Sequence, residues 1–311
     1  MSTATFIIPV YNGEKLIAKT IDSILSQTVL PEQIIIVDDC STDRTIFILE
    51  EYKKQHPKLI TIIKHKENLG RSMACNSALD IVKTDYCLMI DADDIAEPNR
   101  LEKQVQFMDQ NKDVCASSSF VKYINSKGDI FGKGKLDVLT REIYTEYMRT
   151  NEIIGLYSPA SIVRMSMLNE SNLRFRPQFK QAQDIDLWNR ISEKYVVIAQ
   201  PEFLTRYRIH SGSVTTTKFF RSQFYLKYIK NCIVRRRNNK KELSLEEFET
   251  LEKNRPILIK IKDYRKVLSK KLFHDIGYLI AEKKYIQTII FIFFAFVIRP
   301  KFFLHKIKSK I

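Results

Sequence analysis

The sequence is poor in cysteine, and its cysteines lack the close spacings that metal and disulfide scaffolds use. Five are scattered along 311 residues with no C-x-x-C pair, namely Cys40, Cys75, Cys87, Cys115 and Cys232. Their scatter argues against a zinc ribbon or a disulfide framework and favours a reducing compartment. The first residues pass straight into a strand-like run, with no basic segment and no cleavage site, so we expect no secretory signal.

Also lacking is an apolar run long enough to cross a bilayer, which takes about 20 residues. The longest candidate, residues 285–298, has 14 residues before Arg299, Pro300 and Lys301 interrupt it. Such a segment suits a helix that lies in the membrane interface with lysines at its flanks. The alternative is a core helix that packs on the rest of the protein.

The first two-thirds has no net positive charge, which is concentrated in the last third. Residues 216–311 carry 24 Lys and Arg against 8 Asp and Glu, a balance of +16, whereas residues 1–215 have a balance of −1. We therefore expect a near-neutral domain over 1–215 and a basic helical extension over 216–311. The natural partner of that extension is either nucleic acid or an anionic membrane surface.

The first two-thirds alternates short apolar strands with helices. Strands are predicted at 5–10, 33–37, 59–63 and 86–90, with helical periodicity between them. This alternation predicts an α/β fold, a Rossmann-like and mostly parallel sheet flanked by helices. Polar clusters follow the first, second and fourth strands, where a sheet of this kind binds its ligand.

Beyond residue 100 the pattern is less regular. It predicts a strand over 114–124, a hairpin turn at 125–128, a helix over 140–150 and two short strands at 195–199 and 203–209. Earlier in the chain, Ser41 or Thr42 is expected to cap the second helix.

The most informative cluster is Asp91-Ala92-Asp93-Asp94, directly after a buried strand. Three carboxylates this close repel one another unless a cation lies among them. Oxygen ligands suit Mg²⁺ or Mn²⁺, ions that commonly bridge a carboxylate to substrate phosphates. The alternative is a solvated acidic turn that caps the next helix.

Taken together, the motifs resemble those of the family 2 glycosyltransferases, inverting sugar-nucleotide enzymes of the GT-A fold. The resemblance covers about residues 3–215. It rests on six motifs in order: Phe6 to Asn12, Val37 to Asp43, Asn68 to Asn76, Ile90 to Asp94, Asp184 to Trp188 and Tyr207 to His210. It implies a nucleotide-sugar half at about 1–97 and an acceptor half at about 98–215. The implied reaction transfers a hexosyl or N-acetylhexosaminyl group from a UDP-sugar to a glycan or lipid-linked acceptor in cell-surface polysaccharide synthesis.

The resemblance assigns the donor site. Pro9 and Tyr11 would lie against the nucleotide base, where an aromatic ring offers a stacking face. Asp39 would accept a hydrogen bond from the uracil ring, and Arg71 would approach the diphosphate. The alternatives are an ordinary strand-ending turn for Pro9 and Tyr11, helix capping for Asp39 and a solvated side chain for Arg71.

One departure affects this site. The family usually has a basic residue just before Asn76, and this chain has Cys75 there. The diphosphate contact at this turn is therefore in question.

The resemblance also implies a divalent metal. Asp93 would ligate Mn²⁺ or Mg²⁺, Asp91 would hold the ribose or the metal's water shell, and Asp94 would orient the donor sugar. His210 aligns with a position that completes the metal site in some relatives, and imidazole suits Mn²⁺ better than Mg²⁺. The alternative for His210 is a structural histidine.

Asp184 is the candidate general base. Inverting transfer needs one carboxylate to deprotonate the acceptor hydroxyl as that hydroxyl attacks the anomeric carbon. Gln183 stands where the family usually has Glu, and losing that like charge should make Asp184 slightly easier to ionise. Asp186 is the runner-up and fits better as a first-turn helix charge. Trp188 would line the acceptor cleft or, alternatively, pack in the core.

Two rival functions remain. A nucleotidyltransferase typically opens with a Gly-rich phosphate loop, but the first turn here has only Gly13. A nucleic-acid-binding protein would use residues 216–311, but the basic clusters there adjoin a Phe/Ile-rich stretch rather than a recognition motif. We therefore expect no nucleic-acid partner and a cytoplasmic protein, peripheral on the cytoplasmic face of the membrane.

Overall fold

A computed structural model describes residues 2–209, 218–300 and 302–304. The chain divides into two compact units. Unit 1 comprises Met1–Tyr123 and Gly132–Arg208, and unit 2 comprises Ile124–Phe131 and Ile209–Ile311.

Strands and helices alternate through the first two hundred residues. The strands are β1 (Ala4–Val10), β2 (Gln33–Asp38), β3 (Ile60–Lys64), β4 (Tyr86–Met89), β5 (Ile95–Ala96), β6 (Val114–Ile124), β7 (Ile130–Gly134), β8 (Ser161–Arg164) and β9 (Val196–Arg208). The helices are α1 (Ile17–Leu25), α2 (Thr45–Gln55), α3 (Arg71–Leu79), α4 (Arg100–Gln110), α5 (Arg141–Thr150), α6 (Met165–Glu170) and α7 (Gln183–Ile191), with a 3₁₀ turn at Ser158–Ala160.

The sheet confirms the predicted α/β fold. Its strand order is β3-β2-β1-β4-β8-β6-β9-β5, and β7 pairs with β6. The pairs β1–β2, β1–β4 and β2–β3 are parallel, whereas β8 runs antiparallel to β4 and β6. After β1 the chain builds outwards to β2 and β3, then returns to place β4 on the other side of β1. This reversal makes the carboxyl ends of β1 and β4 a topological switch point, where such sheets bind ligands.

The central strands are buried, as a parallel sheet covered on both faces requires. Phe6, Ile7 and Ile8 of β1 are fully buried, and β2 and β4 contribute equally buried runs. A continuous apolar run has no polar face to leave in water, so it needs helices on both sides. Because these strands are held in the core, the positions at which their loops begin are fixed as well.

Two local predictions were wrong. The two short strands predicted at the end of unit 1 form one strand, β9, which continues through the exposed Pro201. Ser41 and Thr42 do not cap α2, because both are bonded to the turn after β1. Asp43 accepts the bond from the Thr45 amide instead, at 2.9 Å.

Two other local predictions are confirmed. The Asn125 side chain closes the hairpin turn by accepting from the amides of Lys127 and Asp129, at 3.0 and 2.9 Å. The helix predicted over 140–150 is α5, and the Thr140 hydroxyl caps it.

Helices make up most of unit 2: α8 (Phe219–Arg237), α9 (Leu245–Lys253), α10 (Ile257–Ala281) and α11 (Tyr285–Ile298). A capping box of Ser244 and Glu247 starts α9. Helices α10 and α11 pack on each other through Leu272, Ile276 and Ala295, with Phe303 closing the cluster. In the described part of the chain, every helix is too short or too polar to cross a membrane.

Candidate active site

The turn after β1 is bonded to the loop after β2. The Asn12 amide donates to Ser41 Oγ at 2.9 Å, and Asn12 Oδ1 accepts from the Thr42 amide at 2.8 Å. Asn12 has a φ of 52°, a left-handed conformation that asparagine tolerates better than most residues. This bonded turn leaves Tyr11 half exposed at the strand end. Its ring is thus accessible for the predicted base stacking, as is the partly exposed Pro9.

Asp39 is buried at the end of β2, beside the loop that precedes α3. Its Oδ1 accepts from His65 Nδ1 at 2.7 Å and from the Leu69 amide at 2.9 Å, and its Oδ2 accepts from the Gly70 amide at 2.8 Å. The carboxylate therefore fixes the segment that begins α3 rather than capping α2. Its contact with a uracil ring stays a prediction. The supporting role of His65 escaped the sequence analysis, because the two residues are joined only by tertiary structure.

Arg71 is not a solvated side chain, and that alternative was wrong. Its Nε and Nη2 donate to Asp91 Oδ1 at 3.0 and 2.6 Å, and Nη2 also donates to Ser158 Oγ at 3.0 Å. Arg71 and Cys75 are one helical turn apart, on one face of α3. Burial raises the pKa of the Cys75 thiol to about 11, and Arg71 opposes that rise. A cation therefore stands one helical turn before position 75, and its contact with a diphosphate stays a prediction.

Asp94 is the buried member of the acidic cluster that follows β4. Its Oδ1 accepts from the Arg208 amide at 2.7 Å. Its Oδ2 is buried and has no hydrogen-bond partner among the residues that the structure describes. Burial, reinforced by Asp93 and Asp91, raises the pKa of Asp94 well above its usual range. The role of Asp94 in orienting a sugar stays a prediction.

A buried arginine stabilises the end of β4, from which the acidic cluster follows. Arg100 is fully buried and donates to the carbonyls of Met89 at 2.7 Å and Pro159 at 2.8 Å. Burial lowers the pKa of this guanidinium to about 9, and Asp94 opposes the decrease. Arg100 thus ties the end of β4 to the turn that carries Ser158. Arg100 stands at the start of a helix, and the sequence offered no signal for this role.

Asp184 lies beside the Arg71–Asp91 pair. It sits on the first turn of α7, partly exposed, and its Oδ1 accepts from the Ile185 amide at 2.9 Å. Burial raises the pKa of Asp184, Arg71 opposes the rise, and Asp91 adds to it. The effect of burial therefore exceeds the easier ionisation expected from Gln183. The fold brings Arg71, Asp91 and Asp184 together from three separate elements.

The neighbouring candidates on α7 have structural roles. Asp186 is buried and bonded by Arg176 and by Arg190, whose Nε lies 3.0 Å from Oδ2. Trp188 is fully buried in the core, so the packing alternative accounts for it and the acceptor-lining role was wrong. A buried indole cannot present its face to a sugar.

Candidate metal ligands remain at the switch point. Asp93 is partly exposed there, next to Asp91. His210 lies outside the described residues. Within the described ranges, no three His, Cys, Asp or Glu side chains form a ready metal cluster. Carboxylate oxygens fit Mn²⁺ or Mg²⁺, and such ions commonly complete their shell with water and substrate phosphates. The donor set therefore suits a metal held jointly by protein and substrate.

The fold and the acidic switch point define a GT-A glycosyltransferase. The family model described as glycosyl transferase family 2 matches residues 5–171. The chain belongs to that family.

Among the curated relatives is an uncharacterized glycosyltransferase of Haemophilus influenzae. It is 32% identical over 68% of this chain and 66% of its own length. A poly(ribitol-phosphate) beta-glucosyltransferase of Bacillus spizizenii is 30% identical over 58% of this chain, but over only 28% of its own length. The chain thus spans less than two-thirds of either relative.

Solved structures share the fold. S. aureus TarS in complex with UDP-GlcNAc gives a TM-score of 0.57 at 20% identity, over 87% of this chain and 80% of that one. A mannosyltransferase of Pyrobaculum calidifontis with GDP-Man and Mn²⁺ also gives 0.57 at 20% identity, over 76% of this chain and 64% of that one.

Proposed function

We propose that this protein transfers a sugar from a UDP-sugar to a hydroxyl of a glycan or lipid-linked acceptor, with inversion, in cell-surface polysaccharide synthesis. The observation that carries the proposal is the Arg71–Asp91 ion pair beside Asp184 at the switch point of the sheet. An arginine suits a diphosphate because its guanidinium forms bidentate bonds with phosphate oxygens. A UDP donor is further supported by the TarS complex with UDP-GlcNAc.

Asp184 is the proposed general base. As the acceptor hydroxyl attacks the anomeric carbon, its proton passes to the Asp184 carboxylate and the bond from that carbon to the UDP oxygen breaks. A raised pKa makes an ionised carboxylate a stronger base, which favours this transfer. Arg71 keeps a positive charge close to Asp184, and that charge helps it to stay ionised between turnovers.

Asp93 and Asp91 are the residues that would hold Mn²⁺ or Mg²⁺. The ion supplies positive charge that stabilises the UDP leaving group. Asp91 already shares its Oδ1 with Arg71, so the guanidinium and a metal would compete for that carboxylate. A donor diphosphate offers Arg71 an alternative partner and thereby frees Asp91.

The acceptor class is proposed from the relatives. The B. spizizenii relative is named for poly(ribitol phosphate), a phosphate-linked polyol. We propose an acceptor of this general kind, a hydroxyl-rich glycan or a lipid-linked precursor of one. A screen of UDP-sugar donors distinguishes hexosyl from N-acetylhexosaminyl transfer.

The test is a screen for UDP release. Purified protein is incubated with UDP-glucose, UDP-galactose or UDP-GlcNAc, with poly(ribitol phosphate) or lipid-linked glycans, and with Mn²⁺, Mg²⁺ or EDTA. We expect one donor to give acceptor-stimulated UDP release that EDTA suppresses. Absence of UDP release with every donor would overturn the proposal, and release that EDTA leaves unchanged would overturn the metal assignment alone.

We further propose that unit 2 binds the anionic cytoplasmic face of a membrane. The outward face of α11 is apolar, with Ile286 78% exposed and Phe293 63% exposed. Lys283 and Lys284 precede the helix and Arg299 follows it. Helix α11 is about 21 Å long, shorter than the roughly 30 Å hydrocarbon core, so it would lie in the interface. A lipid-linked acceptor would be concentrated at that surface.

A further inference from the structure

Three tyrosines to which the sequence analysis gave no role meet in unit 1. The ring centroid of Tyr123 lies 6.5 Å from that of Tyr157 and 6.1 Å from that of Tyr207, and the last two are 6.2 Å apart. The Tyr123 and Tyr157 hydroxyls are hydrogen-bonded at 2.8 Å. Gly134 lies so close beneath them that a Cβ there would come within 2.4 and 2.5 Å of the two hydroxyl oxygens. Contacts on several sides therefore hold the cluster in place.

The cluster is joined to the active-site loops through the main chain. Tyr157 precedes Ser158, whose Oγ accepts from Arg71 at 3.0 Å. Tyr207 precedes Arg208, whose amide donates to Asp94 Oδ1 at 2.7 Å and whose Nε donates to the Asp93 carbonyl at 2.8 Å. The rings consequently stand beside the acids at the end of β4.

Tyr207 has an unused polar group in this place. Its side chain is partly buried, yet its hydroxyl makes no hydrogen bond to any other residue that the structure describes. The hydroxyl is not one of the buried polar atoms without a partner, so it is open to solvent and to a ligand. Burial, and then Asp94, Asp91, Asp93 and Asp184, raise the pKa of Tyr207 well above its usual range, so the phenol stays neutral and keeps its proton to donate.

We propose that the Tyr207 hydroxyl donates a hydrogen bond to the transferred sugar of the donor, with Tyr123 and Tyr157 holding its ring in position. The proposal rests on the proposed function. Tyr207 adjoins Arg208, which is bonded to Asp94 and Asp93, and Tyr157 adjoins Ser158, which is bonded to Arg71. Asp93 and Asp94 are on the donor side of the proposed site, so the phenol is assigned to the donor sugar. Tyr207 thereby becomes a specificity-determining residue.

The test is Tyr207→Phe, which keeps the ring and removes the hydroxyl. Affinities for UDP-glucose, UDP-GlcNAc and UDP are measured by calorimetry. We expect the Kd of the accepted UDP-sugar to rise about fivefold, the value of one hydrogen bond, while the Kd of UDP is unchanged. The matched control is Tyr52→Phe, which removes a hydroxyl bonded to Asp22 at 2.6 Å on α1 and should change neither affinity.

Each other outcome overturns the assignment in a distinct way. An unchanged Kd for the UDP-sugar would mean that the contact does not exist. A slower transfer at saturating donor with an unchanged Kd would move Tyr207 to the acceptor or to the chemical step. An equal loss of UDP and UDP-sugar affinity would indicate a structural role. If the wild-type protein bound UDP but no UDP-sugar, the proposed function itself would fail together with this inference.

Discussion

At the scale of single residues, Asp93 offers the clearest test of the metal assignment. We expect Asp93→Ala to abolish metal-dependent UDP release while the midpoint of thermal unfolding stays within a few degrees of wild type. The side chain is partly exposed at a strand end, so its loss leaves no large cavity. Asp113→Ala is the control, because Asp113 forms a surface ion pair with Arg141. Turnover near the wild-type rate would remove Asp93 from the metal site.

Asp184 and Asp186 form a matched pair two positions apart. We expect Asp184→Asn to keep UDP-sugar affinity and to lose about 10²–10⁴-fold in transfer rate, because an amide cannot accept the proton. Asp186→Asn should instead lower the stability by about 3–5 kcal/mol, since it leaves Arg176 and Arg190 without their shared carboxylate. Transfer rate, donor affinity and urea unfolding are measured for both variants. Full transfer by Asp184→Asn would place the base elsewhere.

The pH dependence of transfer follows from the same residue. The pKa of Asp184 is raised above 3.8, so the carboxylate becomes protonated, and the base is lost, at a higher pH than for an ordinary aspartate. We expect kcat to fall as the pH decreases through that raised value, while circular dichroism shows the protein still folded. An acid limb at or below pH 3.8 would contradict the assignment.

The sequence revealed those parts of the site whose residues are close together along the chain. The acids after β4 form a motif within four positions, and local sequence was enough to find them. The Arg71–Ser158 bond joins residues 87 positions apart, and the Tyr123–Tyr157 bond joins residues 34 apart. No pattern in the sequence relates such pairs, because only the folded sheet places them side by side.

At the scale of elements, the strands that are buried on both faces were predicted to within about one residue. Their apolar runs are continuous, short, mostly rich in β-branched residues and bounded by turns, which distinguishes them from buried helices. Strand β9 was divided in two because Pro201 interrupts the pattern, although an exposed proline can be accommodated in a strand where its missing N–H is not needed. The cap of α2 was misplaced because Ser41 and Thr42 are used for a tertiary contact.

The bonded turn after β1 can be tested as an element. We expect Asn12→Ala to lower the free energy of unfolding by about 1–3 kcal/mol, since alanine loses the bond from Thr42 and is strained at a φ of 52°. Asn12→Gly is the matched variant and should cost less, because glycine accepts this φ. Equal effects of the two variants in urea unfolding would show that the backbone conformation is unimportant.

At the scale of the whole molecule, the charge division of the sequence has a counterpart in two compact units. Unit 1 contains all the described site residues and has the family's fold. Unit 2 carries the basic clusters and the exposed apolar faces of α10 and α11, where Leu258 is 77% exposed and Ile286 is 78% exposed. Water-exposed side chains of this size on two helices need a function, because monomeric soluble proteins rarely leave contiguous apolar patches uncovered.

The membrane proposal forecasts two separable contributions to vesicle binding. The attraction of lysines and arginines to anionic lipid is worth about 1 kcal/mol each near the surface and is screened by salt, whereas burial of the apolar face of α11 is not. We therefore expect co-sedimentation with anionic vesicles to weaken at high salt without vanishing, and neutral vesicles to bind less. The double variant Ile286→Glu/Phe293→Glu should lose the salt-resistant part while its UDP-sugar affinity is unchanged.

Phe47→Glu is the matched control, since Phe47 is a 68% exposed phenylalanine on α2 in unit 1. It should bind vesicles as the wild-type protein does at every salt concentration. If the double variant kept the salt-resistant binding, α11 would not enter the interface. If binding vanished at high salt in the wild-type protein too, the attachment would be purely electrostatic, and the basic clusters of unit 2 alone would account for it.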